Sequence, residues 1–306
     1  MSAFHTESLA LGVTRVPIGF VNVYAVVNPD GSWVLVDTGL PGAAGYLRRF
    51  AEEEMGGPPI AIVLTHGHFD HASNALALAE AFDAPVFAHG DEAPFLNGTS
   101  DYPPGDPSMG GAIAQLSRVF PKRGTDLGER LKVLPQDHTV PGMPEWEFLH
   151  TPGHTPGHLS LFRETDGVLI AGDALATMDL DSWTAQVTHE RKLSRSAAPF
   201  TTNWDAAVSS QLVLANLKPR CIGAGHGRAM TGAGVADALA TWAATDHRPT
   251  YGRYVREPAA FDDERGVVSV PPPVEDKAGK RALVGLAATV AGVWALDRAV
   301  SRPGRR

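Results

Sequence analysis

An apolar strand that runs straight into a cluster of metal-binding side chains most limits how this 306-residue chain can fold. The uninterrupted apolar run Ile60 to Leu64 is typical of a strand that is buried on both faces of a sheet. Four polar side chains follow it in the six-residue segment 66–71: His66, His68, Asp70 and His71. The sequence therefore predicts an α/β fold in which these polar groups gather at the end of a buried strand.

The types and spacing of these four side chains indicate metal binding. His66 and His68 are two residues apart, so in an extended turn they point the same way. Asp70 and His71 begin the next predicted helix. Four ligands exceed what one small ion needs, and the spacing predicts two adjacent metal sites. Imidazole and carboxylate ligands without a thiolate suit Zn²⁺, Fe or Mn²⁺. The alternative, a solvated polar loop, does not explain such a cluster directly after an apolar strand.

Further histidine and aspartate residues follow other predicted strands, in a chain where strands and helices alternate. Asp37, Asp173 and His226 each come at the end of an apolar strand, and His154 lies in a loop rich in Pro and Gly. Each residue alone is as compatible with a helix cap, a turn or a core position. Together they predict a series of ligands at the ends of strands in one α/β sheet system.

The His-x-His-x-Asp-His run at 66–71, followed by His154, Asp173 and His226, resembles the metallo-β-lactamase-fold hydrolase superfamily. Asp37, in Asp-Thr-Gly, also matches, and the resemblance covers residues 13–246. It implies a four-layer αβ/βα sandwich, in which two mixed β-sheets are flanked by helices. Within the superfamily we expect the branch that contains glyoxalase II-like and lactonase-like enzymes.

The resemblance also implies two metal sites that share one carboxylate. Three histidines would hold the first metal: His66, His68 and His154. One aspartate and two histidines would hold the second: Asp70, His71 and His226. Asp173 would bridge the two metals, and Asp37 would orient a ligand histidine by accepting its other N–H. His158 would support the site or face the substrate; an ordinary loop histidine is an equal alternative.

The implied function is hydrolysis of a small ester, lactone, thioester or amide by a binuclear centre. Two Zn²⁺ ions are expected, with Fe or Mn as alternatives. A hydroxide shared by the metals would be the nucleophile, and Asp70 would carry its proton to the leaving group. Two other activities remain open: a mononuclear iron oxidoreductase similar to persulfide dioxygenases, and a phosphodiesterase. A metal-binding protein without turnover is a third class.

The segment after the motif differs from that of one related class of enzymes, and the overall charge limits the kind of partner. Ala72, Ser73 and Asn74 stand where glyoxalase II-like enzymes usually have a Gly-Gly type of segment. The net charge is −8, and residues 1–275 alone carry −13. An acidic body repels a phosphate backbone, so we expect a small-molecule substrate and no nucleic acid.

Composition predicts three regions along the chain. Residues 1–250 would form the hydrolase domain, 251–275 an extended linker with three consecutive prolines, and 276–306 a basic tail. Within that tail, the uncharged run 282–296 would be about 22 Å long as a helix, short of a hydrocarbon core of about 30 Å. Weak membrane association, self-association or packing on the body, and disorder are the alternatives for this run. The polar first residues lack a signal-peptide pattern, so we expect a cytoplasmic location.

Several aromatic and sulfur-containing side chains are candidates for the substrate cleft or for the core. Tyr102, Met109, Phe120 and Trp146 are candidates for the wall of a substrate cleft, although such residues more often belong to a core. Cys221 is the single cysteine, so no internal disulfide can form. Its position in an apolar strand predicts a buried and inert thiol.

Overall fold

Two mixed β-sheets organise the chain in the computed structural model, which describes residues 4–276. The first sheet has seven strands side by side in chain order: β1 (Glu7–Ala10), β2 (Val13–Ile18), β3 (Val21–Val27), β4 (Trp33–Val36), β5 (Ala61–Val63), β6 (Val86–Ala88) and β7 (Leu131–Val133). Strands β1 to β4 pair antiparallel, whereas β4 to β7 pair parallel.

The second sheet has five strands: β8 (Glu147–His150), β9 (Leu159–Arg163), β10 (Val168–Ile170), β11 (Cys221–Gly223) and β12 (Met230–Thr231). These strands also lie side by side in chain order. Strands β10 and β11 are parallel and the other neighbours are antiparallel. The parallel pair requires a long crossover connection, and this connection contains the longest helix of the described chain.

Helices and short connections complete residues 4–276. The α-helices are α1 (Ala44–Glu53), α2 (Phe69–Ala72), α3 (Ala75–Phe82), α4 (Ala93–Leu96), α5 (Ala112–Leu116), α6 (Ala185–Thr188), α7 (Trp204–Asn216), α8 (Val235–Ala243) and α9 (Arg253–Arg256). Single 3₁₀ turns occupy Gly90–Glu92, Pro107–Met109, Gly128–Arg130 and Ala198–Phe200. In the described part of the chain, no helix is long and apolar enough to span a membrane.

Three apolar clusters show how these elements stack into four layers. Leu47 of α1 and Leu78 of α3 pack on one face of the first sheet, where they join Leu35. The other face of that sheet packs on the second sheet, in a cluster that contains Val36 and Ile170. Alternate residues of one strand thus serve two cores, because successive side chains in a strand point to opposite faces.

The far face of the second sheet is covered in the same way. Leu214 of α7 and Leu239 of α8 pack on Leu169 and Ile222. The order of layers is therefore helix, sheet, sheet, helix. The predicted four-layer αβ/βα sandwich of two mixed β-sheets is confirmed.

Two segments differ from the sequence predictions. The run Val13 to Val27 is rich in Val, Ile, Phe and Tyr, which predicts a single strand. It is instead a hairpin, because Gly19, with a φ of +64°, reverses the chain. Residues 251–275, expected as an extended linker, instead contain α9 and a hairpin of β13 (Ala260–Asp262) and β14 (Gly266–Ser269). This segment packs on the body because Tyr254, 2% exposed, joins an apolar cluster with Trp204 of α7. The predicted apolar helix at 282–296 lies outside the described residues.

Candidate metal centre

Backbone hydrogen bonds join the two sheets at one edge and so bring the ends of several strands together. The N–H of Leu159 donates to the carbonyl of Thr65 over 2.9 Å, which ties the start of β9 to the end of β5. The N–H of Asn22 in β3 donates to the carbonyl of Gly225, beyond β11, over 2.8 Å. Polar side chains placed just after these strands therefore face one another across a short distance.

All seven predicted metal ligands meet at this edge. Their ligand atoms form three groups, and within each group they lie no more than 4.8 Å apart. Three histidines form the first group: His66, His68 and His154. The second group contains two histidines and the predicted bridging carboxylate: His66, His71 and Asp173. The third group is formed by Asp70, His71 and His226.

The first group has the spacing of a metal site. His68 Nδ1 lies 3.1 Å from His66 Nε2 and 2.9 Å from His154 Nε2. Nitrogen ligands bound tetrahedrally to zinc at about 2.0–2.1 Å are about 3.3 Å apart. The three imidazoles therefore stand close to the separation that one ion would impose.

Asp173 lies between the two predicted metal positions. Its Oδ2 atom is 3.5 Å from His154 Nε2 and 3.3 Å from His226 Nε2, while its Oδ1 atom is 3.7 Å from His71 Nε2. Asp70 Oδ2 lies 3.6 Å from the same His226 nitrogen. One carboxylate thus faces ligands of both groups.

Four of the predicted ligand histidines are held by their other ring nitrogens, as is usual for metal-binding histidines. These contacts are His66 Nδ1 to Thr65 Oγ1 (3.1 Å), His71 Nδ1 to Asp37 Oδ2 (2.8 Å), His154 Nδ1 to Ser196 Oγ (3.0 Å) and His226 Nδ1 to the Phe20 carbonyl (2.8 Å). The last contact depends on the hairpin turn between β2 and β3, where the sequence predicts one continuous strand.

Asp37 positions more than the one ligand histidine that was predicted to donate its N–H to it. One of its oxygens accepts the His71 N–H, and the other accepts the backbone N–H of Thr65 over 2.8 Å. Its φ of +61° lies in the left-handed region, which Asp tolerates better than most residues. Asp37 thereby fixes the chain on both sides of the first metal-binding loop.

His158 is fully buried and does not line the cleft beside the centre. Its Nε2 atom accepts the backbone N–H of Asp173 over 2.7 Å, and its Nδ1 lies 3.1 Å from the Thr151 carbonyl. The backbone donor requires an unprotonated Nε2, so Nδ1 carries the proton and donates to Thr151. His158 therefore positions Asp173 through its backbone and has no contact with the cleft.

Burial keeps the first group of histidines neutral. It lowers the pKa of His68 to about 3, and lowers the pKa values of His66 and His154 well below that of free imidazole. A neutral imidazole is the form that binds a metal.

Negative charge dominates around the second group. Burial acts to lower the pKa of His71, but the Asp37, Asp70 and Asp173 carboxylates outweigh it and raise that pKa to about 10. Burial likewise acts to raise the pKa of Asp173, yet His226 and His71 hold it well below its usual range. Asp173 is therefore an ionised carboxylate in a buried pocket that favours cations.

Two buried polar atoms test whether this residue set fits metal ions. Within residues 4–276, His71 Nε2 and Asp173 Oδ1 are buried and have no hydrogen-bond partner. Such orphaned atoms are rare in proteins and need an explanation, which an ion would supply. Both atoms face each other at 3.7 Å inside the centre. The donor types, their spacing and these two atoms fit divalent metal ions.

A largely apolar cleft opens onto the centre. It has about 480 Å³ of space, part of it open to solvent, and its floor contains His68, Asp70, Asp173 and His226. Its apolar walls are Phe69, Pro103, Ile113, Phe120, Pro121, Leu180, Ala197 and Phe200. Of the sequence candidates for this wall, Tyr102 and Phe120 line the cleft. Met109 and Trp146 pack into apolar clusters instead.

Glu92, which no sequence pattern singled out, is a fully buried residue that joins the loops of His68 and His154. Its carboxylate accepts the backbone N–H groups of Gly67 over 2.9 Å and Gly157 over 3.0 Å, and also the Tyr102 hydroxyl. A Cβ at Gly157 would lie 2.6 Å from the Glu92 backbone nitrogen, so only glycine allows this approach. The available signal was an acidic residue directly before the apolar helix α4.

Known proteins resemble this chain in sequence. The sequence model of the metallo-beta-lactamase superfamily matches residues 16–226. The probable metallo-hydrolase YflN of Bacillus subtilis is 40% identical over 228 residues, which cover 73% of this chain and 86% of YflN. The probable metallo-hydrolase YybB of the same organism is 27% identical, covering 70% and 82%.

A solved structure shows the same likeness. The BLEG-1 B3 metallo-beta-lactamase is 25% identical, with a TM-score of 0.51, and the match covers 72% of this chain and 93% of that protein. These matches, together with the fold and the cluster of ligands, confirm the resemblance predicted from the 66–71 motif. The chain belongs to the metallo-beta-lactamase superfamily of metallo-hydrolases.

Proposed function

We propose that this chain hydrolyses a small ester, lactone, thioester or amide at a centre of two zinc ions. Iron and manganese are the alternative metals for the same ligands. The observation that carries the proposal is the convergence of seven ligand side chains, two of them with orphaned buried atoms, at the floor of an apolar cleft. We also propose that the chain belongs to the branch of the superfamily that contains glyoxalase II-like and lactonase-like enzymes.

Each metal would have its own set of side chains. The first would be held by His66, His68 and His154, and the second by Asp70, His71 and His226, with Asp173 between them. When bound, the two ions would polarise a carbonyl group and make a water molecule nucleophilic at neutral pH. Asp37 and Glu92 keep the ligand loops in register during this chemistry.

Asp70 is the residue we assign to proton transfer. It lines the cleft and is 8% exposed, so it can reach a substrate while most of its surface is shielded. Burial raises the pKa of Asp70, which favours a carboxyl group that holds a proton transiently. Asp70 would accept the proton of the attacking water and deliver it to the leaving group.

The cleft walls support a substrate with an apolar group beside the scissile bond. The ring of Phe120 stacks on those of Phe20 and Phe200, at centroid distances of 6.2 and 6.0 Å, which gives a rigid aromatic wall. Among the described lining residues, Lys122 is the one lysine or arginine. A single cation offers little charge for a phosphodiester backbone, and the acidic chain agrees with a small-molecule partner.

The deciding experiment counts metal and tests hydrolysis on the same untagged protein, purified without chelator. We expect two zinc ions per chain by mass spectrometry, and hydrolysis of chromogenic esters, lactones or thioesters that is lost on chelation and restored by Zn²⁺. One iron per chain with oxygen consumption on a persulfide would overturn the proposal in favour of an oxidoreductase. Cleavage of bis-p-nitrophenyl phosphate alone would favour a phosphodiesterase.

A further inference from the structure

A second group of metal-ligand side chains lies apart from the centre described above. His89 directly follows β6, His150 ends β8, and Asp91 belongs to the 3₁₀ turn Gly90–Glu92. Each offers one ligand atom, and these three atoms lie within 4.8 Å of one another. None of the three is a predicted ligand of the main centre.

The oxygen–nitrogen distances in this group are similar to those within the main centre. Asp91 Oδ2 lies 3.7 Å from His89 Nδ1 and 3.7 Å from His150 Nε2. The two imidazole rings stack at a centroid distance of 4.0 Å with an angle of 12° between their planes. The Asp173 oxygens lie 3.3–3.7 Å from the histidine nitrogens around them. Because the imidazole planes in the first group of the main centre are nearly perpendicular, at 84–89°, one of the two stacked rings would have to turn about its side-chain bonds to bring all three ligand atoms onto one ion.

The group is open to solvent and chemically ready for a metal. The side chains of His89, Asp91 and His150 are 21%, 42% and 34% exposed, so an ion can enter without local opening. Burial and the neighbouring His150 ring lower the pKa of His89, which keeps that ring in its metal-binding form. The ring of Phe148 packs at 6.1 Å from His89 and closes the inner side.

Two existing contacts would be exchanged when an ion binds. The backbone N–H of Asp91 points at His89 Nδ1 over 3.2 Å, and His150 Nε2 lies 2.7 Å from the Pro156 carbonyl. The first contact is long for a hydrogen bond. The second contact places the Pro156 carbonyl oxygen beside His150 Nε2, where this oxygen can serve as a further metal ligand.

We propose that His89, Asp91 and His150 form a separate binding site for one divalent first-row transition-metal ion, such as Zn²⁺ or Cu²⁺. Two imidazoles and one carboxylate are the donor set that such ions prefer over Ca²⁺ or Mg²⁺. Solvent would complete the coordination, so the site binds more weakly than the buried centre.

The position of the site gives it a structural consequence. His150 ends the strand that leads into the loop of His154, and Asp91 precedes Glu92, which accepts the N–H groups of both metal-binding loops. An ion held by His89, Asp91 and His150 would therefore clamp these two segments together on the outer side of the main centre.

Equilibrium dialysis of the metal-loaded full chain against Zn²⁺ tests the proposal. We expect the wild type to take up one more zinc ion per chain than His150→Gln or Asp91→Asn, with micromolar affinity. His189→Asn is the matched control, because His189 is exposed, belongs to none of the ligand groups and has a φ of +51° that Asn tolerates. It should bind as much zinc as the wild type.

A spectroscopic measurement checks the donors directly. With Cu²⁺ as the probe, electron paramagnetic resonance should show coupling to two nitrogens at the added ion, and to one in His150→Gln. Equal zinc uptake by the wild type and both variants, or no added ion in the wild type, overturns the proposal. Circular dichroism and the metal content of the main centre establish that each variant is folded. If His150→Gln fails this check, the Asp91→Asn comparison decides.

Discussion

Asp37 Oδ2 accepts a hydrogen bond from His71 Nδ1 over 2.8 Å, between side chains that are 2% and 0% exposed. The other Asp37 oxygen accepts the N–H of Thr65, the residue before His66. One carboxylate thus connects the ligands of both predicted metals. Each of these two N–H donors thus has its own Asp37 oxygen.

Replacing Asp37 with Asn should weaken metal binding. Asn has one acceptor oxygen, so either His71 or Thr65 loses its partner, and the His71 ring loses its orientation. We expect the affinity for the more weakly held Zn²⁺ to fall about 10–100-fold, measured by competition with a chromophoric chelator. Asp30→Asn, in the exposed turn between β3 and β4, is the control. Equal affinities in the two variants would show that Asp37 does not support the site.

Asp70 should matter for turnover as well as for binding. For Asp70→Ala reconstituted to full metal content, we expect kcat to fall about 10²–10⁴-fold, because proton transfer to the leaving group is lost. Metal analysis of the same sample separates this effect from loss of an ion. A variant that retained both ions and full turnover would remove Asp70 from the proposed mechanism.

Glu92 should stabilise the fold through the loops that it joins. Glu92→Ala leaves the buried N–H groups of Gly67 and Gly157 without their acceptor, at about 1–3 kcal/mol each. We therefore expect the free energy of unfolding to fall by about 2 kcal/mol or more, in urea titrations of chelator-treated protein. Glu80→Ala, on the exposed side of α3, is the matched control. A loss no larger than that of Glu80→Ala would contradict this role.

Phe120 should affect which substrates bind. Its ring contacts Phe20, Phe69 and Phe200 in the cleft wall, so Phe120→Ala removes apolar surface without touching the metal ligands. We expect KM for a long-chain acyl ester to rise about 10-fold relative to that for an acetyl ester, with kcat little changed. Val119→Ala alters an adjacent side chain that is 77% exposed, and should leave this ratio unchanged. A parallel rise for both esters would place the acyl group elsewhere.

The basic tail should be dispensable for chemistry. Truncation after Val274 removes residues that make surface contacts in the described part, such as the ion pair of Asp276 with Arg118. We expect the truncated chain to keep its metal content and kcat, while its self-association or its binding to lipid vesicles decreases. Loss of metal and activity in a folded truncated chain would show instead that 276–306 contribute to the site.

Much of the ligand set was accessible from the sequence for a local reason. His66, His68, Asp70 and His71 lie within one six-residue segment after an apolar strand, and their types alone indicate metal chemistry. The distant members, such as Asp173 and His226, stood out because each also follows an apolar strand. The linker prediction for 251–275 failed for a tertiary reason, because Tyr254 and Phe261 are covered by packing with Trp204 of α7, a partner that is distant in the sequence.

The sequence by itself determined the fold class, the ligand types and their order along the chain, because strand periodicity and side-chain chemistry are local properties. Only the tertiary structure decided which distant groups hold these ligands in place. The Phe20 carbonyl on His226, the Asp173 N–H on His158 and the Glu92 carboxylate on Gly157 join residues 15 to 206 positions apart. A local pattern shows that such a group is buried, but its hydrogen-bond partner follows from the packing of the two sheets.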